Sequence, residues 1–311
     1  MNATIDAVEE LMAEDLAAAA PDGLEPLLEA IRKRCGPALR AVVLYGSCRR
    51  SADIHDGLVD LMAVVSAYRP VHDSAVAAAL NRLLPPNVYY LETGDGRQRL
   101  RCKYIIISEA AFKARTHAGL DGYFWARFTQ PCRRIWAADP SAERMLASCR
   151  ARAAARFARS ALRLGAGRLD GETFWIRAMR ASYGCELRPE PPGAAQRLIE
   201  RDSDFWNALS ARLLPRLDEV QARDGLYDIT LRRGQALAGK IEWRARGIWS
   251  KTRNILRLLK AAGTFANGID YLSWKIERHS GVRIEPTERM RRHPRLAAWG
   301  LLFRLLKKKA L

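Results

Sequence analysis

Two short apolar runs indicate the fold: Leu39-Arg-Ala-Val-Val-Leu-Tyr-Gly-Ser47 and Leu58-Val-Asp-Leu-Met-Ala-Val-Val65. Both are rich in β-branched residues and predict strands. The first run ends in Gly46-Ser47, where glycine lets a phosphate approach the backbone closely and the serine hydroxyl can donate to it. The second run carries Asp60, whose carboxylate can hold Mg²⁺ against a triphosphate. Together they predict a phosphate- and metal-binding turn, with an ordinary strand turn and a half-buried aspartate as the alternative.

The pattern around these runs predicts an α+β protein with a small mixed sheet first and helices afterwards. Two helices are expected over 4–35, with a break at Pro21–Gly23. The other expected elements are a helix over 73–84, strands over 87–92 and 100–108 joined by a hairpin turn at 93–96, and mainly helices after residue 109.

Composition limits the class of protein. The chain has 311 residues, 49% apolar and 28% charged, which is enough for one large or two modest cores and excludes a wholly disordered or collagen-like chain. The six cysteines are scattered without a Cys-x-x-Cys pair, so free thiols are expected rather than disulfides or a zinc site. The N-terminus has no basic region typical of a secretory signal, and no run of about 18 apolar residues occurs.

The Gly-Ser turn and its aspartate resemble those of the nucleotidyltransferase superfamily, which usually places two acids one residue apart. Positions 58 and 62 are leucine and methionine here, so a second acid must come from elsewhere. A narrower resemblance is to the mitochondrial-type phosphatidate cytidylyltransferases (the translocator assembly and maintenance family), whose strand carries a single aspartate. The segments similar to that family keep its order: Tyr45–Ser47, Val59–Val65, Val88–Tyr90, Lys103–Ser108, Trp125–Pro131, Tyr183–Arg188 and Lys251–Gly263.

This resemblance implies an architecture. It gives an α+β, nucleotidyltransferase-like domain over 1–140, a mainly helical domain over 141–240, with a winged-helix-like arrangement as one option, and a basic C-terminal segment over 241–311 that contacts the active site and the membrane. The chain departs from the family at Cys48-Arg49-Arg50, which replaces a loop of small and aromatic residues.

The resemblance also implies a reaction: CTP and phosphatidic acid give CDP-diacylglycerol and pyrophosphate, with Mg²⁺ as cofactor, in phospholipid biosynthesis. The residues expected to act in catalysis are Asp60, Lys103 and Arg127. Those expected to bind nucleotide are Tyr45, Gly46, Ser47 and Tyr90, with the choice between Tyr89 and Tyr90 for stacking on cytosine left open. The expected metal ligands are Asp60, Asp56 and Glu186. The plainer alternatives are a solvated lysine at 103, a helix-surface arginine at 127 and a surface pair of Glu186 with Arg188.

Positive charge is concentrated at the C-terminal end. The net charge is +18, and residues 232–311 contain 20 basic and 5 acidic residues, which leaves only +3 for the rest. Arg253, Arg257 and Lys260 share one helix face, while the leucines between them pack elsewhere. The last segment is apolar and suits a helix in lipid headgroups; its expected contacts are Trp299, Lys307, Lys308 and Lys309.

We therefore expect an anionic membrane surface as the partner of the C-terminus, and a peripheral protein on the cytoplasmic face of a bacterial-type cell membrane. The alternative is a helix that packs its apolar face on the body. No nucleic-acid partner is expected, because no known RNA- or DNA-binding module is recognisable. Two other functions remain open: a nucleotidyltransferase acting on RNA or a small acceptor, and a non-catalytic nucleotide-binding protein.

Overall fold

A computed structural model describes residues 2–50, 54–55, 57–72, 74–94, 99–118, 122–186, 191–264 and 287–292 of the chain, with side chains except those of 2–4, 258–264 and 291–292. The structure confirms the predicted α+β class: a five-stranded mixed sheet is surrounded and followed by helices. The strands of this sheet are β1 (Leu39–Tyr45), β2 (Leu58–Val65), β3 (Asn87–Thr93), β4 (Leu100–Ser108) and β5 (Arg133–Ala137).

The order of the strands across the sheet is β3-β4-β2-β1-β5, and only β2 and β4 run parallel to each other. The predicted hairpin of β3 with β4 is confirmed by their antiparallel pairing. Strand β5 was not predicted. It lies at an edge, all five of its residues are half-buried and two of them are arginines, so it lacks the apolar run that marks an inner strand.

The helices follow the predicted order along the chain. They are α1 (Asn2–Ala17), α2 (Glu25–Cys35), α3 (Ala75–Leu83), α4 (Glu109–His117), α5 (Gly122–Thr129), α6 (Pro140–Leu162), α7 (Gly171–Gly184), α8 (Ala194–Glu200), α9 (Ser203–Leu213), α10 (Gln235–Thr264) and α11 (Glu288–Arg292). A second sheet, also not predicted, has the strand order β6-β8-β7 and comprises β6 (Gly167–Leu169), β7 (Val220–Arg223) and β8 (Leu226–Ile229). Its strands of three or four residues are too short to show an alternating pattern.

An apolar core covers each face of the five-stranded sheet. One face, with Leu44, Leu61 and Ile106, packs on α2. The opposite face packs on α1, α5 and α6, and its core continues without a break into α7 and α9. All six cysteines are buried and unpaired, as predicted. The division of the chain at residues 140 and 240 stays a prediction.

Candidate active site

Four of the predicted site residues lie at one level of the sheet. In the register of the strands Tyr45 is opposite Asp60, Asp60 is opposite Lys103, and Lys103 is opposite Tyr90. Side chains of residues paired across neighbouring strands lie on the same face of a sheet. The structure therefore brings residues from β1, β2, β4 and β3 into one row, which we call the Asp60 row.

The turn after β1 lies directly against this row. Gly46 has a φ of +84°, a left-handed conformation that only glycine adopts without strain. A Cβ atom at this position would lie 3.1 Å from Oδ2 of Asp60. The chain continues as a 3-10 turn over Ser47–Arg50, whose buried Cys48 donates from Sγ to the carbonyl oxygen of Leu58 at 3.3 Å. The turn and the start of β2 are thus held together beside the carboxylate.

Asp60 and Lys103 form an ion pair in the middle of the row. Nζ of Lys103 lies 3.5 Å from Oδ1 of Asp60, and the two side chains are 36% and 25% exposed. Oδ1 of Asp60 is buried and accepts no hydrogen bond. A buried carboxylate oxygen without a hydrogen bond is costly, and the nearby ammonium of Lys103 offsets part of that cost.

This carboxylate fits the role of a single protein ligand to Mg²⁺, because that ion is commonly held by one or two carboxylates together with substrate phosphates and waters. Within the described part of the chain, no group of three or more His, Cys, Asp or Glu side chains is placed to hold a metal by itself. Asp56, one of the expected ligands, lies outside the described residues. The site therefore suits a Mg²⁺ ion whose other ligands are substrate phosphates and waters.

Arg127 approaches the row from α5. Its guanidinium carbon lies 5.2 Å from the ring centre of Tyr45 and 5.0 Å from that of Tyr123, and Nη2 donates to the hydroxyl of Tyr123 at 2.8 Å. Burial alone lowers the pKa of this guanidinium, but the two tyrosines and the carboxylates of Asp60 and Glu186 raise it by more. A cation is therefore fixed beside the row at neutral pH.

Glu186 comes close to the same guanidinium from the other half of the chain. It follows the end of α7, is half-buried, and interacts electrostatically with Arg127. The structure thus places Glu186 within electrostatic range of Arg127, and its role as a metal ligand stays a prediction. Arg188 lies outside the described residues.

The two consecutive tyrosines of β3 lie on opposite faces of the sheet. Tyr89 stacks on Tyr104 with ring centres 5.3 Å apart, on the face away from the Asp60 row. Tyr90 is 46% exposed and donates from its hydroxyl to Glu92 at 2.7 Å. Partial burial, followed by the hydrogen bond to Glu92 and its charge, raises the pKa of Tyr90 to about 12. Of the two rings, only that of Tyr90 is on the face where Asp60 lies.

The long helix α10 runs from the C-terminal end of α6, past α5, to the edge strand β3. Arg257 donates to the carbonyl oxygen of Pro85 at 2.8 Å, and Arg253 to the same oxygen at 3.5 Å. Both arginines therefore point toward the backbone of Pro85, just ahead of β3. Their contact with lipid stays a prediction. The side chains of Lys260, Trp299, Lys307, Lys308 and Lys309 lie outside the described residues.

Sequence reasoning missed one contact at the turn. Nη2 of Arg49 lies 2.6 Å from Oδ1 of Asp202, and Arg50 binds the other oxygen of the same carboxylate. These residues are more than 150 positions apart, and neither the spacing nor the composition indicates their pairing. The run Cys48-Arg49-Arg50 was noticeable only as a departure from the family pattern.

Comparisons with known proteins add little to this geometry. No protein-family model matches the chain, and a search of curated proteins found no match. Among solved structures, a nucleotidyltransferase-like protein from Exiguobacterium sibiricum 255-15 is similar at 10% identity over 92% of each chain, with a TM-score of 0.27. A likeness at that TM-score carries no argument about fold or chemistry.

Proposed function

We propose that this chain is a Mg²⁺-dependent nucleotidyltransferase that transfers CMP from CTP to phosphatidic acid at a membrane surface. The observation that carries the proposal is the Asp60 row, with the glycine turn against its carboxylate and the Arg127 guanidinium beside it. The finer assignment of CTP and phosphatidic acid rests on the family resemblance of the same segments.

Different residues of the site would bind different parts of the CTP molecule. The turn at Gly46 and Ser47 would bind the triphosphate, because glycine removes the side chain that would otherwise separate phosphate from backbone. Asp60 would hold Mg²⁺, which when bound neutralises charge on the phosphate oxygens. Tyr90 would stack on the base, since its ring is half exposed on the same face.

The reaction needs positioning and charge neutralisation more than a strong base. The phosphate of phosphatidic acid is already an anion, and one of its oxygens would attack the α-phosphorus of CTP. As that P–O bond forms, the bond from the α-phosphorus to the oxygen bridging to the β-phosphorus breaks, and pyrophosphate leaves with the electron pair. Lys103 and Arg127 would offset the developing negative charge, Arg127 with two parallel hydrogen bonds.

The outer face of α10 supports the membrane part of the proposal. Trp243, Arg246 and Ser250 are buried on the inner side of this helix. The large apolar residues exposed along α10 are Leu237 (64%), Ile241 (61%), Ile248 (70%), Trp249 (47%) and Leu256 (46%), and the exposed basic residues between them are Lys240, Arg244 and Lys251. An apolar stripe bordered by basic residues is typical of a helix that lies in anionic headgroups. Within the described residues, no helix is both long and apolar enough to span a bilayer.

The experiment that tests the function measures pyrophosphate release from CTP in the presence of vesicles containing phosphatidic acid. Asp60→Asn should reduce the rate about a hundredfold or more, because it removes a charge from the reacting centre while keeping its shape. Asp228→Asn is the matched control: this aspartate also lies in a strand opposite a cation, 3.7 Å from Arg168, but in the second sheet. The control should retain the wild-type rate.

Other acceptors are tested in the same pyrophosphate assay, and membrane binding is tested separately by sedimentation with vesicles. Turnover with RNA or a small alcohol but not with phosphatidic acid would replace the lipid by another acceptor. Binding of CTP without pyrophosphate release from any acceptor would favour the non-catalytic alternative. Ile248→Asp should weaken sedimentation with anionic vesicles, whereas Val76→Asp, at an equally exposed position of α3 (66%), should not.

A further inference from the structure

One carboxylate of the helical region binds two consecutive arginines of the turn. Asp202 accepts from Nη2 of Arg49 at 2.6 Å through Oδ1 and from Arg50 through Oδ2. The side chains of Asp202 and Arg49 are only 11% and 4% exposed, so this pair is shielded from water. We call these three residues the Asp202 clamp.

Asp202 begins a helix, but its side chain does not cap that helix. Asp202 is the N-cap residue of α9, where an aspartate side chain normally accepts a backbone N–H of the first turn. Here the side chain makes no such capping bond. The carboxylate thus binds the turn after β1 instead of capping its own helix.

The clamp acts on the segment that adjoins the nucleotide-binding turn. Arg49 is two residues after Ser47, and both belong to the 3-10 turn that follows Gly46. Between them, Cys48 donates from Sγ to the carbonyl oxygen of Leu58 at the start of β2. With Arg49 held by α9 and Cys48 by β2, the turn is restrained from both sides.

Positive charge is in excess around this carboxylate. The pKa of Arg50 is lowered mainly by burial, and also by the charges of Arg49, Arg201 and Arg133, while Asp202 acts in the opposite direction. Two adjacent guanidinium groups would repel each other without a shared anion. Asp202 is therefore what permits both arginines to lie against the turn.

We infer that Asp202 is a positioning residue: through Arg49 and Arg50 it holds the Gly46–Ser47 turn in place beside Asp60. The consequence for nucleotide binding rests on the proposed function. The consequence for the order of the turn does not, and it is measurable without any substrate.

Asp202→Asn tests the inference, because it removes the charge and keeps the size and the ability to cap a helix. Glu242→Gln is the matched control: Glu242 also binds two arginines, Arg163 at 2.8 Å and Arg246, but this group lies away from the turn. Amide hydrogen exchange of the peptide that contains residues 46–50 should become about tenfold faster in Asp202→Asn and stay unchanged in Glu242→Gln. Unchanged exchange in Asp202→Asn would overturn the inference.

Kinetics then separate positioning from stability. Asp202→Asn should raise the KM for CTP about tenfold with kcat nearly unchanged, and Asp202→Glu should restore part of the loss. Combining Asp202→Asn with Arg49→Gln should add little, because both changes break one contact. A lower melting temperature with wild-type KM would contradict the positioning role. If the wild type binds no CTP, the proposed function fails, while the exchange experiment still decides whether the clamp orders the turn.

Discussion

Replacing Gly46 by alanine should impair the site in two separable ways. The first is backbone strain: at a φ of +84° a residue with a Cβ costs about 1–2 kcal/mol. The second is a collision, because the new Cβ would lie 3.1 Å from Oδ2 and 3.5 Å from Cβ of Asp60. The carboxylate would have to retreat by a few tenths of an ångström, and it would leave the position in which it pairs with Lys103.

Gly234→Ala isolates the first effect from the second. Gly234 has the same φ of +84°, and a Cβ there would meet nothing within 4 Å. The melting temperature should therefore decrease by a similar amount in both variants, about 2–4 °C for each kcal/mol of folding stability lost. Only Gly46→Ala should lose activity, by about tenfold to a hundredfold in kcat, the range typical of a small misplacement of a reacting group.

Differential scanning fluorimetry and pyrophosphate release, measured on the same preparations, give both quantities. We expect Gly46→Ala and Gly234→Ala to have equal melting temperatures, and only Gly46→Ala to lose most of its activity. If Gly46→Ala turns over CTP at the wild-type rate, the close approach of the turn to Asp60 has no part in the reaction, and the reasoning from the Asp60 row is refuted.

Two further predictions concern Arg127 and Glu242. Arg127→Lys should lower kcat/KM about tenfold to a hundredfold, because lysine cannot make two parallel hydrogen bonds to phosphate. Tyr123→Phe removes only one hydrogen-bond partner of Arg127 and should lower kcat/KM much less. A larger loss in Tyr123→Phe than in Arg127→Lys, measured by steady-state kinetics, would contradict this role of Arg127. Burial raises the pKa of Glu242, but hydrogen bonds and charges from Arg246 and Arg163 lower it by more, to a net value below the ordinary 4.5. Glu242→Gln should therefore cost about 1–3 kcal/mol at pH 7, and the melting temperatures of variant and wild type should converge as the pH falls below about 4.5; a constant gap would show that the charge of Glu242 is not involved.

The inner strands of the sheet were predictable because their sequences satisfy several requirements at once. Strands β1, β2 and β4 occupy the predicted residues 39–45, 58–65 and 100–108, since each is a run of β-branched and apolar residues buried on both faces. The edge strand β5 was missed because a half-buried strand does not need such a run. The other edge strand, β3, is also only partly buried, but its Val-Tyr-Tyr-Leu run has high strand propensity, so it was predicted.

The site was predictable only as separate residues. Asp60 and Lys103 could each be placed in the middle of a strand, but their 3.5 Å contact depends on the register of β2 with β4, which a single sequence does not contain. The pairing of Arg49 with Asp202 depends on how α9 packs, and no local signal encodes it. The spacing of Arg253 and Arg257 predicts that they share a helix face, but their common acceptor, the carbonyl oxygen of Pro85, lies about 170 positions away and has no local signal.

The exposed residues of α10 fit the proposed membrane surface better than they fit RNA. RNA is bound through its phosphates by basic side chains and through its bases by aromatic stacking, so exposed aliphatic residues contribute little to such a surface. Among the exposed large apolar side chains of α10, those with the greatest exposure are aliphatic, with Ile248 at 70% and Leu237 at 64%. Each gains free energy only by leaving water for an apolar phase, and the basic residues beside them are attracted to the anionic surface that covers such a phase. If α10 bound RNA, Ile248→Asp would weaken binding only as much as an added negative charge does, and Ile248→Ser would leave it unchanged. At a bilayer both substitutions should weaken binding, because both remove the apolar side chain.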